Sequence, residues 1–402
     1  MIKIYIQNFI KLIADILIFP IIFFYCIGSR LLFQKKKRVF FGLMANNNLI
    51  YVRDSLKKFG YVAAVIPWII PEHEKKNILY DIDLKKKYPK LYNNFFGQII
   101  LIYLFLLWSL INFDVFILPF QNRLLDRTFL LKWFEFQLLH LAGKKIILNP
   151  YGGDVQYIEV WENSSNSEYQ ELYKAWRNDP YYGVYAREKF VLSNTLYCLR
   201  HADRIVLSID WPDYIPNKIQ KTNIEYFHMR ALPFFALKKR KEKKSGVFTI
   251  VHATNHPSFK GTKFLERAVE EINKETKICE LIILQNINNE DVLRKIETAD
   301  LVFDQLLLGA YGRLAIEAMS LEKPVICYLR DDFKKIYPSW HECPIINANI
   351  VNLKEKILEI VHMSEKQREK IGKKSKKYVE KYHSPKYIGK KLHIIIQEVL
   401  KP

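Results

Sequence analysis

The chain is short of cysteine and glycine, and its acidic side chains are outnumbered by basic ones. Five cysteines stand at 26, 198, 279, 327 and 343, an odd number with no CxxC or CxxH pair. That spacing argues against a disulfide framework and a zinc site, and it fits a reducing compartment. Trp340-His341-Glu342-Cys343 has no second ligand pair at useful spacing, so no metal is expected there. With 14 glycines and 16 prolines in 402 residues, collagen-like and low-complexity classes are excluded. A cleaved signal peptide is not expected, because Lys and Arg follow the apolar N-terminal segment where small residues would stand.

What is present is an apolar half, enough to bury two or three domain cores and to exclude global disorder. The net charge of +20 points to polyanionic partners: nucleic acid, an anionic membrane face or phosphorylated substrates. A bias toward Lys, Ile, Asn, Tyr and Phe, as AT-rich coding produces, is an equal alternative source of much of that charge. Residues 366–391 hold eleven Lys or Arg against two Glu. They read as a solvated helical face, since no nucleic-acid-binding signature accompanies them and no nucleic-acid partner is expected.

Residues 2–33 are mostly apolar and lead into Gln34-Lys35-Lys36-Lys37-Arg38. The uninterrupted stretch is only 16–28, with Lys11 and Asp15 before it and Pro20 inside. A span wants ~20 apolar residues. Two membrane readings stay open, one tilted span or a helix lying in the interface, beside a long helix buried in the protein. In both, the basic run contacts an anionic lipid surface at the cytoplasmic face. A second apolar run, 99–111, is short for a span and reads as a helix packed on a sheet, with one face free for lipid.

From Arg38 onward, short apolar strands alternate with amphipathic segments: 39–43, 62–66, 115–118, 145–149 and 204–208. A charged stretch, 236–246, reads as a linker. Strands resume at 248–252, 280–284, 301–303 and 324–328. Such alternation predicts two doubly wound parallel sheets, with a ligand cleft between their strand ends. Expected units are a membrane-associated segment 1–38, a first domain 39–235, a second domain 247–380 and a C-terminal helix 381–402.

The stretch from Ala299 to Cys327 reads strand, glycine turn, helix, turn, strand. Gly309 and Gly312 let a backbone approach a ligand closely, and the helix that follows offers its N–H groups to a diphosphate. Glu317 lies on the second turn of that helix, among apolar neighbours, so it needs a partner: a ribose hydroxyl or a nearby cation. Lys260, before Gly261 and Thr262, sits at a strand-to-helix turn where a cation reaches phosphate. Asp154, after Gly152 and Gly153, either orients an acceptor hydroxyl or caps the next helix. The polar turn 42–48, with Asn46 and Asn47, is a candidate acceptor entrance. Asp81-Ile82-Asp83 matches a metal-binding DxD, a pattern short enough to arise by chance.

These residues resemble the donor site of GT-B glycosyltransferases, family 4 in particular. "AD…DQ…G.YG…EAM..GKPVI" is matched nearly throughout 299–327. Residues 250–262 are similar to "I.HAP..R..KGT", 145–155 to "kii….GsDvR", and 380–384 to the closing "ve..Hs". The chain departs from those patterns at Pro257, Glu322 and Tyr151; Gly309 stands, as in that subset, where family 4 enzymes often carry the first Glu of a Glu-x7-Glu pair. The resemblance implies a two-domain GT-B fold whose C-terminal helix returns to the first domain. It implies retaining, metal-independent transfer from a nucleotide-sugar, with no further cofactor, to a glycan or lipid-linked acceptor in cell-surface polysaccharide synthesis. Donor contacts carried over are Lys260, His256, Gly309, Ala310, Tyr311, Gly312 and Glu317; Asp154, Glu317 and Lys260 are the catalytic candidates. Acceptor candidates are Asn46, Asn47, Gly152, Gly153 and Asp154. Competing readings are a nucleotide-sugar epimerase and an inactive glycan-binding subunit.

Overall fold

A computed structural model describes residues 2–31, 37–43, 47–68, 70, 80–156, 159–178, 188–208, 212–215, 223–232 and 246–401. The expected linker therefore lies almost wholly outside the described residues, as does Asn46.

The chain forms two α/β domains, each on a parallel sheet. The first sheet holds β1 (Arg38–Phe41), β2 (Val62–Val65), β3 (Val115–Leu118), β4 (Lys145–Leu148), β5 (Arg204–Leu207) and β6 (Ile224–Tyr226). The second holds β7 (Phe248–Ala253), β8 (Cys279–Leu284), β9 (Leu301–Phe303), β10 (Val325–Cys327) and β11 (Ile346–Asn347). Their orders are β2-β1-β3-β4-β5-β6 and β11-β10-β9-β7-β8. Central strands such as Val-Phe-Ile-Leu at 115–118 are buried at every position, because helices cover both faces of a parallel sheet. Each expected strand is present to within two residues. The edge strands β6 and β11 were not anticipated: three and two residues are too few to show a pattern.

One face of the first sheet packs Phe40 and Phe116 against Leu106 and Leu110 of the helix Phe95–Asn112. On the other face, Val39, Phe41 and Ile117 meet Val52 and Leu56 of the helix Asn47–Lys57. Ile388, Leu392 and Ile396 of the last helix, Pro385–Leu400, complete that layer, so the C-terminus belongs to the first domain's core. The helix before it, Glu365–Tyr382, packs on the second domain. Gly372 on that helix permits the contact, since a Cβ there would stand 1.9 Å from the carbonyl oxygen of Glu322. Glu322 itself takes φ +56° in the turn before β10, a left-handed conformation held by a non-glycine residue.

The order of each sheet reverses at one place, between β1 and β3 in the first and between β7 and β9 in the second. Loops leaving those strand ends diverge and leave a crevice. The DxD aspartates lie away from it in structural roles. Asp81 pairs with Arg53 at 2.7 Å and accepts from the Val65 amide, while Asp83 caps the helix Leu84–Lys87.

Candidate functional site

At the second reversal point, two loops face each other. One runs from β7 to Gly261, whose φ of +74° ends a short helix and starts the next. The other runs from β9 to Gly312, which precedes the helix Arg313–Ser320. Lys260 reaches across so that its Nζ lies 3.5 Å from Asp304 Oδ1. The other oxygen of Asp304 accepts the Gly312 amide, and the Leu306 amide donates to the Lys260 carbonyl at 3.0 Å. A Cβ on Gly312 would stand 3.2 Å from Lys260 Nζ, which places the ammonium at the helix N-terminus. Gly309 takes φ +73°, and a Cβ there would collide with the Arg330 side chain at 2.5 Å. Expected residues Lys260, Gly309 and Gly312 are thus brought together. Asp304, which holds the arrangement, sits inside the quoted motif but carried no assigned role.

Glu317 is 3 % exposed. Its Oε1 accepts from Arg313 Nε at 2.7 Å and from Asn289 Nδ2 at 3.3 Å. Burial raises the pKa of this carboxyl, and the neighbouring Arg313 guanidinium opposes that rise. The partner that burial requires is therefore supplied by an arginine one turn earlier, on the same face of the helix. Arg313 is partly exposed and borders the cleft with Ile316.

Across the cleft stand the strand ends of the first sheet: Gly42 after β1, Pro119 after β3, Asn149 and Tyr151 after β4, and Ser208 after β5. Met229, Arg230 and Leu232 close the side. The space holds about 820 Å³, open solvent included. Asn48 shapes it by donating to the Met229 carbonyl at 2.6 Å and accepting from the Ala231 amide at 2.8 Å. Asn48 closes the polar turn 42–48 expected at the acceptor entrance, with partners about 180 positions away; Arg230 was not singled out, because it stands in a loop without periodic signal. Asn47 starts its helix, and its side chain is outside the described set.

Asp154 requires a correction. It is fully buried, and it accepts amide hydrogens from Phe120, Tyr151 and Gly152 at 3.0 Å each. Burial pushes its carboxyl up to about 7 against those three amides. The side chain orders the loop from inside; of that loop, Asn149, Pro150 and Tyr151 line the cleft, while Gly152 and Gly153 stand beside open space. Tyr311 is corrected in part. Its ring is buried, stacked on Trp340 at 5.4 Å, and its hydroxyl meets Tyr378 at 2.9 Å and His383 at 3.0 Å. Only its backbone belongs to the turn. Ala310 is likewise buried, its carbonyl 3.6 Å from Cys327 Sγ. His256 is exposed at the start of the short helix Pro257–Lys260, with its amide bound to Thr254. His252 is structural: its two ring nitrogens contact the Phe303 carbonyl and the Thr262 hydroxyl, each at 2.9 Å.

No protein-family model matches the chain, and no curated protein matches it in sequence. Solved structures do match its fold. HepE from Anabaena, determined with UDP-glucose, superposes with a TM-score of 0.52 at 11 % identity, over 90 % of this chain and 99 % of that one. Sucrose-phosphate synthase from Thermosynechococcus elongatus gives 0.55 at 11 % identity, over 91 % and 99 %. At that identity the likeness establishes the fold: two domains in the GT-B arrangement of glycosyltransferases.

Proposed function

We propose that the protein is a glycosyltransferase that moves a sugar from a nucleotide-sugar to a glycan or lipid-linked acceptor. One observation carries the reading: Lys260, the Gly309-to-Gly312 turn and the free end of the helix Arg313–Ser320 converge at the second sheet's reversal point, and that helix faces the first domain's strand ends. A leaving diphosphate gathers negative charge as the glycosidic bond breaks. The Lys260 ammonium and the amides at the helix start are fixed in advance where that charge develops, which is the most effective form of stabilisation. In this reading Glu317, held by Arg313 and Asn289, accepts from the donor ribose. In the same reading His256 contacts the donor, and Gly152 and Gly153 contact the acceptor.

The finer parts of the proposal follow the family resemblance. Transfer retains configuration and uses these cationic groups rather than a metal ion, and no further cofactor takes part. Residues 39–235 take the acceptor, 247–380 the donor, and 381–402 return to the first domain. The product serves cell-surface polysaccharide, made at the cytoplasmic face of a membrane. HepE, solved with UDP-glucose, supports the donor class.

Release of nucleoside diphosphate from UDP-, GDP- and ADP-sugars, with and without a membrane fraction, tests the reading. Acceptor-dependent release is expected. Epimer formation without an acceptor would move the protein to the epimerases. Glycan binding without any nucleotide binding would make it an inactive subunit. Glu317→Gln and Lys260→Ala are each expected to lower turnover ~10–100-fold, about 1.4–2.7 kcal/mol, with the fold intact. Two variants that transfer like the parent would refute the donor site.

A further inference from the structure

The helix Ile2–Leu31 is docked from Ile10 onward. Asp15, Ile22, Cys26 and Ser29 are buried, and Ile10, Ala14, Ile18 and Tyr25 pack on the first domain's core. Asp15 is completely enclosed. It accepts from the Tyr103 hydroxyl at 2.5 Å and from the amides of Phe129, Leu130 and Leu131 at 2.9, 2.5 and 3.3 Å. From Ile10 to Ser29 the helix therefore lies flat on the protein rather than leaving it.

Its opposite face is apolar and uncovered. Of the 28 large apolar side chains exposed among the described residues, 14 lie on this helix. Five more, Phe96, Ile100, Leu104, Trp108 and Ile111, form one stripe on the adjoining helix Phe95–Asn112. Phe129, Leu130 and Phe134 continue the surface beside Asp15. Between Lys11 and Arg30 the only charged residue is Asp15, which points inward.

We propose that these two helices and the 129–134 turn form one surface that docks in the plane of an anionic lipid bilayer. So many exposed large apolar side chains on adjoining elements are unlike the singly scattered ones that monomeric proteins leave to water. A span is disfavoured because the inward face would carry Asp15 and the amides around Leu130 to hydrocarbon depth together with the domain. In-plane insertion buries only the outer ~5–10 Å of such a face. The charges at its margin complement anionic headgroups. Lys3 and Arg30 are exposed on the helix, and Arg127 and Lys132 stand close enough to Lys11 to help burial depress its pKa. Lys85, Lys86, Lys87 and Lys90 are exposed just before Phe95–Asn112. No carboxylate other than Asp15 lies on the helix Ile2–Leu31.

The inference rests on the reading that the enzyme works at a membrane, and its test measures binding apart from turnover. Flotation with vesicles of phosphatidylcholine mixed with phosphatidylglycerol, against phosphatidylcholine alone, should carry the full chain only on the anionic vesicles. The double variant Leu17→Glu/Phe24→Glu should lower the bound fraction ~10-fold or more while far-ultraviolet circular dichroism is unchanged. Brominated lipids should quench the fluorescence lost in Trp108→Phe, most strongly with bromines near the headgroup. Failure to float together with a concentration-dependent dimer would overturn the proposal, since a second copy would then cover the face. Resistance to carbonate extraction with Lys3 and Arg30 on opposite sides of the bilayer would overturn it in favour of a span. Donor turnover measured without vesicles reports on the cleft alone, so loss of one property leaves the other readable.

Discussion

His252 and His383 show how burial sets the behaviour of single groups here. Both imidazoles are enclosed, and desolvation drives each from 6.5 to about 4. The unfolded chain protonates them near pH 6.5, whereas the folded chain refuses the proton until about pH 4. Unfolding therefore takes up protons in that window, and stability falls as the pH falls, by up to about 3 kcal/mol per imidazole. Asp154 has the opposite sign. Raised from 3.8 to about 7, it contributes stability below pH 3.8 that is lost as the pH rises through about 7. The two kinds of group partly cancel. His383→Gln removes one acid-sensitive contribution. Thermal denaturation should then show the gap between parent and variant narrowing from pH 7 to pH 4. A gap independent of pH would mean that His383 protonates freely in the folded state.

Among the elements, the helix Ile2–Leu31 depends on one carboxylate. Replacing Asp15 by Ala strips the acceptor from a tyrosine hydroxyl and three backbone amides, a loss of ~3 kcal/mol or more. Because the helix is an added layer outside the sheet and its covering helices, the loss should be local. Hydrogen exchange is expected to rise in 2–31 and 129–131 while β3 and β4 stay protected. The crossing of Glu365–Tyr382 over the turn before β10 is a second element-level contact. Gly372→Ala forces a methyl against the Glu322 carbonyl, and backbone on both sides leaves little room to yield. A fall in stability of ~1–3 kcal/mol is expected from chemical denaturation. Sequence pattern located both helices, as an apolar N-terminal segment and a basic amphipathic one. It left open whether the first spans a membrane, since what packs against its inner face is remote in the chain.

At the scale of the whole molecule, the domains are tied together beside the cleft. Arg330, after β10, pairs with Asp213 and donates to the Tyr169 hydroxyl at 2.6 Å. Lys263 meets Glu171 at 2.6 Å, Asn166 donates to the Tyr328 hydroxyl at 2.9 Å, and Trp176 packs edge-on to Phe259 at 5.3 Å. Arg330→Met should loosen this seam. Small-angle scattering is expected to show a larger radius of gyration than the parent, and an unchanged radius would assign domain closure to the remaining contacts of the seam. Removing 385–402 should do more, because Ile388, Leu392, Ile395 and Ile396 are core residues of the first domain. Loss of soluble, cooperatively folding protein is the expected outcome.

Two doubly wound sheets were legible because parallel strands are continuous apolar runs, and such runs need no knowledge of their neighbours. The second-domain side of the cleft was legible for a related reason: its strand, glycine turn and helix are contiguous from Ala299 to Cys327, so one local segment carries most of the geometry. Asp154 had the same local signature as an exposed carboxylate, yet its oxygens turn inward to Phe120, 34 residues away. Tyr311 looked like a turn residue and became the anchor of Tyr378 and His383. The first-domain side of the cleft is assembled from the ends of several strands, and which face of Ile2–Leu31 stays exposed is set by the face that packs on the protein. Burial and hydrogen-bond partners such as these are decided by packing across long separations, so only the tertiary structure could assign them.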